Sequence, residues 1–157
     1  MSDKEKFMHE AIRLSIDMMR SGKGGPFGAV IVKNGEIIAR GFNQVTSHND
    51  PTAHAEVVAI REACKVLNTF QLTGCEIFTS CEPCPMCLGA IYWARPDKMY
   101  YANTKTDAAN IGFDDDFIYK EIALPLSERN LKTEQIGRAD ALKAFEEWAQ
   151  KKDKIEY

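Results

Sequence analysis

The sequence lacks a long apolar run, a basic surplus, an even set of cysteines and any internal repeat, and each absence narrows what the chain can be. Its longest apolar stretch, around Leu88 to Ala94, falls far short of the roughly 20 residues that a membrane-spanning helix needs. The opening Met1-Ser2-Asp3-Lys4-Glu5-Lys6 has no apolar core of the signal-peptide type, so the cytoplasm is the expected compartment. Lys and Arg number 20 against 23 Asp and Glu, a net charge of −3. A protein that grips nucleic acid through many phosphates normally carries the opposite balance, so neither nucleic acid nor membrane is expected as a partner. Five cysteines in a reducing compartment argue against a disulfide framework. No low-complexity tract or linker divides the chain, which reads as one domain over residues 1–157. With 45% apolar and 27% charged residues, a chain of this length buries about 70% of its unfolded surface and needs no covalent staple.

What is present is a regular alternation of elements. Phe7, Ala11, Leu14 and Met18 recur three or four apart and predict an amphipathic helix over Asp3 to Arg20. Phe27 to Val32 and Glu36 to Arg40 are short apolar runs separated by Asn34-Gly35, the strongest short signal for a β-hairpin. Asn49-Asp50-Pro51 reads as a cap with proline in the first helical turn, predicting a second helix from about Pro51 to Leu67. Gly74 to Ser80 predicts a third strand, Pro83 and Pro85 the opening of a helix with its body at Met86 to Trp93, and Lys98 to Ala102 a fourth strand. Strands joined through helical crossovers imply an α/β fold, a three-layer α/β/α sandwich on a mixed sheet. Residues 104–157 change character, with acidic Asp114-Asp115-Asp116 and a last helix near Arg138 to Lys152, and form a C-terminal extension.

The chemistry concentrates in two places. His54-Ala55-Glu56 stands near the start of the second predicted helix, and Pro83-Cys84-Pro85-Met86-Cys87 at the start of the third. Zinc takes imidazole nitrogen and thiolate sulfur, and His54, Cys84 and Cys87 would leave its fourth tetrahedral position open, the arrangement of a catalytic site. The two-residue gap brings both sulfurs to one side of a first helical turn, where the helix dipole favours thiolate. Glu56, two residues past His54, is placed to move a proton beside the metal without binding it. Cys81 stands in the same spacing to Cys84 as Cys84 does to Cys87 and would close the site if it bound; a structural zinc knot and a CxxC redox pair are the other readings of these thiols. Cys64 falls on a helix stripe and Cys75 at a strand start, both positions for packing. His9 and His48 have no partner spacing. Phe27, beside a glycine-rich entry, suits either core or a flat base.

The stretches Gly24-Gly25-Pro26-Phe27-Gly28-Ala29, Asn43, Asp50 to Glu56, Thr79 to Cys87 and Gly112-Phe113-Asp114-Asp115 together resemble the cytidine deaminase superfamily, and within it the small zinc-dependent guanine deaminases of bacteria. The His-x-Glu with Pro-Cys-x-x-Cys is the signature of the zinc deaminases. The likeness covers nearly the whole chain, including the terminal Tyr157. It implies the cytidine deaminase-like fold with a mixed five-stranded sheet, and one zinc per subunit on His54, Cys84 and Cys87. It places Cys81 at a strand end, outside the metal's ligands.

The resemblance further implies hydrolysis of guanine to xanthine and ammonia. Glu56 would carry the proton to the ring nitrogen and then to the departing ammonia, and Asp115 would assist while accepting from the base's adjacent N–H and amino donors. Phe27, Asn43, Ala55, Phe113, Asp115 and Tyr157 are the substrate contacts it implies, with a homodimer in which the C-terminal segment is exchanged between subunits. Two rivals remain at this point. One is a deaminase of tRNA adenosine, cytosine or another amino-heterocycle, which the acidic balance disfavours. The other is a noncatalytic zinc-stabilised binding module, against which Glu56 stands.

Overall fold

The fold, described for all residues 1–157 in a computed structural model, begins with helix α1 (Asp3–Arg20), whose start is fixed by a capping box between Ser2 and Glu5. Strands β1 (Gly28–Lys33) and β2 (Glu36–Phe42) form the predicted hairpin. Its two turn residues, Asn34 and Gly35, both have positive φ, 52° and 78°, as a type I′ turn requires. A one-turn helix, α2 (Val45–His48), precedes α3 (Ala55–Leu67). Strand β3 (Cys75–Cys81), helix α4 (Pro85–Ala94) and strand β4 (Lys98–Asn103) follow. Two further helices, α5 (Lys105–Asn110) and α6 (Asp115–Ala123), lead to a 3-10 turn at Leu126–Glu128 and to α7 (Arg138–Gln150).

The sheet has the order β2-β1-β3-β4. β1 pairs antiparallel with both β2 and β3, and β3 pairs parallel with β4 across the α4 crossover. The sheet is therefore mixed, as expected, but it has four strands and not five. After β4 the polar and acidic sequence offers no β-branched alternating run, and a capping box between Thr104 and Asp107 starts α5 where a further strand would have to begin.

Alternation along β1 assigns the layers. Val30 and Val32 pack with Phe78 against Ala11 and Leu14 of α1. On the opposite face Ala29 and Ile31 pack with Ile77 against α3 and α4. In the α1 layer Phe78 stacks on Tyr100 with ring centroids 4.4 Å apart and meets the edge of Phe7. The α3 layer is made of small residues: Ala55, Ala59 and Ala63 are fully buried against the sheet. A Cβ at Gly41 would run into the Ala55 carbonyl and the Ala59 amide, so glycine there sets how closely helix and strand approach.

Contacts divide the chain after Asp116 into two compact units, and Phe117–Tyr157 is the second. Within it Glu121 accepts from the Asn130 backbone N–H at 2.8 Å, and Arg129 donates to the carbonyls of Ile122 and Leu124. None of its residues is buried. No helix in the structure is long and apolar enough to cross a membrane.

One ion-pair cluster ties α1 to the sheet edge. Glu10 accepts from Arg13 at 2.8 Å and from Arg40 of β2 at 2.7 Å. The Arg13 guanidinium above all, helped by Arg40 and opposed by partial burial, holds the Glu10 carboxyl at about 2 rather than 4.5. A carboxyl lowered on folding stabilises above its unfolded value and loses that contribution as pH falls from about 4.5 toward 2. With the arginines half exposed, screening limits it to about 1 kcal/mol. Urea unfolding of Glu10→Gln should show a deficit of that order at pH 7 that shrinks at pH 3; an equal deficit at both would assign it to packing.

Candidate metal and base-binding site

Two helix starts converge at the carboxyl end of β3. His54 is the N-cap residue of α3 and Cys84 that of α4, both with extended backbone. Pro85 occupies the first turn of α4, where its missing N–H costs nothing. The Cys84 sulfur accepts the Cys87 backbone N–H at 3.5 Å, which brings the two sulfurs onto one side of the turn. The expected proline-opened start of α3 is not observed. Asp50 instead takes the Thr52 N–H at 2.9 Å, the chain turns, and the helix begins only at Ala55. This shift leaves the His54 ring outside the helix and turned toward the thiols.

His54 Nδ1 lies 3.5 Å from Cys84 Sγ and 3.5 Å from Cys87 Sγ. A tetrahedral zinc with its usual bond lengths separates nitrogen and sulfur ligands by about 3.6 Å. All three donor atoms lie within 4.8 Å of one another. The donor set and its spacing thus fit zinc with three protein ligands. Cys81 is not among them: its sulfur turns to the Thr104 carbonyl at 3.6 Å.

Proton affinities in the cluster follow from these contacts. The Cys87 thiol bonding to Cys84, with His54 beside it, draws Cys84 down, while Cys87 is pushed up because it keeps the shared proton. The Cys84 contact raises His54 against the effect of burial. Burial, then the charges of Glu56 and Asp115, push Cys81 up to about 11, so it remains a thiol.

A cavity of about 390 Å³ opens beside this cluster, within the usual range for small-molecule sites. Glu56, in the first turn of α3, lines it and is only 6% exposed. Burial raises its carboxyl, against hydrogen bonds from its own backbone, Cys87 and Thr79. Asp115, at the start of α6, also lines the cavity and is raised by burial and then by the Cys84 charge. Phe27 and Phe113 both line it and touch each other edge to face, with ring centroids 4.9 Å apart. Asn43 is 7% exposed. Its side-chain oxygen accepts from the backbone amides of Gly25 at 3.3 Å and Val45 at 3.1 Å, which leaves its amide hydrogens for the cavity.

The structure therefore brings Phe27, Asn43, His54, Glu56, Cys84, Phe113 and Asp115 to one cavity, with Cys87 just behind. Ala55 is fully buried, does not line it, and has only a backbone N–H at the helix start to offer. Tyr157 belongs to the second unit and is 70% exposed. Two residues escaped the sequence reading. Glu82 lines the cavity and accepts the first amide of α5, from Lys105, at 2.8 Å. Thr79 donates toward Glu56 from below at 3.0 Å. The two-residue period of β3 would have turned Thr79 inward with Ile77, but nothing in the sequence names its partner.

Known proteins resemble this chain in sequence and in fold. The profile of the cytidine and deoxycytidylate deaminase zinc-binding region matches residues 1–103. Guanine deaminase of Bacillus subtilis (strain 168) is 57% identical over 153 residues, 98% of each chain. The X-ray structure of guanine deaminase from Bacillus subtilis superposes with a TM-score of 0.95 over 98% of each chain, at 57% identity. The tRNA-specific adenosine deaminase of Aquifex aeolicus (strain VF5) is 46% identical over 99 residues, 63% of this chain and 65% of its own. Purified protein should carry about one zinc per chain by plasma mass spectrometry, nearly all of it lost in Cys87→Ser and kept in Cys81→Ser; zinc loss in the Cys81 variant would reinstate a fourth ligand. A profile match over residues 1–103 and 57% identity over 98% of the chain mean that the chain belongs to the cytidine and deoxycytidylate deaminase family, whose zinc-binding region it carries.

Proposed function

We propose that this protein hydrolyses guanine to xanthine and ammonia in the cytoplasm. The observation that carries the reading is Asp115 with Phe113 in the same cavity as Glu56 and the His54 cluster. Those two residues lie beyond the zinc-binding region at 1–103. Likeness to the Bacillus guanine deaminase extends over 98% of the chain, against 63% for the Aquifex tRNA deaminase. The net charge of −3 also speaks against a tRNA substrate. A reducing compartment suits five unpaired cysteines.

His54, Cys84 and Cys87 would hold zinc, which would supply a Lewis acid able to lower the pKa of water toward about 7. The rest is done by the chain. Glu56 takes a proton from the attacking water, delivers it to the ring nitrogen beside the amino-bearing carbon, and serves again when ammonia leaves. Burial keeps its proton affinity above that of a free carboxylate, which suits a group that must both take and return a proton. The Asp115 carboxylate accepts from the base's N–H and amino groups, and cytosine, with an acceptor in the corresponding place, could not satisfy it. The Asn43 amide donates to an acceptor on the base. Phe27 and Phe113 pack against the ring, with the Ala55 backbone and Tyr157 as further contacts.

Tyr157 reaches a site in this scheme through exchange of the C-terminal segment between two subunits of a homodimer. The unburied second unit supports this: Leu131, Ile136 and Phe145 are 78%, 83% and 75% exposed, more apolar surface than a 41-residue unit leaves in water without a covering partner.

Two measurements test the scheme. Ammonia release from guanine, adenine, cytosine and their nucleosides should be fastest from guanine, and Glu56→Gln should keep its zinc while losing at least about a hundredfold in kcat. No release from guanine would refute the substrate, and a noncatalytic module would release none from any. Light scattering should give twice the 17.7 kDa chain mass; a monomer would end the exchange model.

A further inference from the structure

We propose that Thr79 is the positioning residue for Glu56, its hydroxyl holding one carboxyl oxygen so that the other carries the proton. The inference rests on the reading of Glu56 as proton carrier. Thr79 sits near the end of β3, an inner strand paired on both sides, and is 1% exposed. Its Oγ1 lies 3.0 Å from Glu56 Oε1 and 3.0 Å from the Cys81 carbonyl oxygen. A hydroxyl has one proton to give, so these two acceptors compete for it.

The contact with Oε1 is the one that bears on Glu56: in a buried site a polar group needs a fixed partner, and the hydroxyl gives this carboxyl oxygen one. The terminal torsion of a glutamate is broad. With Oε1 tied to a β-branched residue on a rigid strand, the carboxyl plane is fixed and the travelling proton is directed to Oε2. Thr79 does not line the cavity, and its hydroxyl reaches Glu56 and the Cys81 carbonyl and no metal-ligand side chain, so it acts through Glu56.

Thr79→Val keeps the shape and strand preference and deletes the hydroxyl; Thr79→Ala serves if valine does not fold. The expected result with guanine is a fall in kcat of about 10- to 100-fold, the range for a residue that orients a site group. KM should change less than about twofold and zinc content not at all, and Thr79→Ser should recover most of the rate. In a Glu56→Gln background the same substitution should cost less than about threefold more, because the group it positions is already disabled. A folded hydroxyl-free variant keeping half the wild-type kcat would overturn the proposal. So would a serine variant as slow as valine, or a full independent loss in the double variant. A wild-type protein inactive on guanine would count against the substrate instead, and the comparison would run on whichever base of the panel is turned over.

Discussion

The seat of α3 on the sheet governs everything built above it. Ala55, Ala59 and Ala63 lie directly on a strand pair whose facing position is Gly41, with Ala29 and Ala39 beside it. No side chain longer than a methyl separates helix from strand at that crossing. The start of α3 therefore sits low enough for His54 to reach the start of α4, and for Glu56 to reach β3 beneath it. Interiors packed to crystal density do not absorb an extra methylene without moving something. Here the thing moved would be a donor atom whose useful range is a few tenths of an ångström.

Electrostatics completes what packing arranges. Cys84, Cys87, Glu56 and Asp115 crowd negative charge into a small, half-dry volume, and three of the four respond by holding protons more tightly than free groups do. Only Cys84, which receives the Cys87 thiol first and then His54 and the Cys87 backbone N–H, is acidified. Such a cluster calls for a cation, and the donor spacing selects one that accepts nitrogen and sulfur. The acidity that a metal would neutralise on one side is the same acidity that a base with several N–H groups would meet on the other.

How much of this could be read from the sequence depends on the distance over which each feature is decided. α1 begins and ends at the residues its spacing and caps predict, because a helix with a capping box is specified by its own four-residue neighbourhood. The hairpin and the Cys84–Cys87 turn are local in the same way, and so was the zinc site, whose remote member His54 is marked by Glu56 two residues on. The start of α3 was misread because Asp50 and Pro51 satisfy a helix opening as well as they do the turn that forms. The fifth strand, drawn from likeness and not from any run of residues, gave way to capped helices after Asn103. Thr79 and Glu82 were not legible, since each earns its place through a partner more than twenty residues away, Glu56 and Lys105, that only the tertiary register supplies.

The pair of hydrogen bonds accepted by the Asn43 side-chain oxygen has a consequence of its own. An asparagine amide usually presents either end to a ligand, because a half-turn about its last torsion exchanges oxygen for nitrogen. With its oxygen tied to Gly25 in the loop after α1 and to Val45 at the start of α2, that half-turn would break two backbone contacts at once. The residue is thereby converted from a two-faced polar group into a one-faced one. In the proposed scheme the base would therefore have to bring a lone pair, not a hydrogen, to this residue. The orientation of that side chain is set by the folding of the backbone around it, before any ligand arrives.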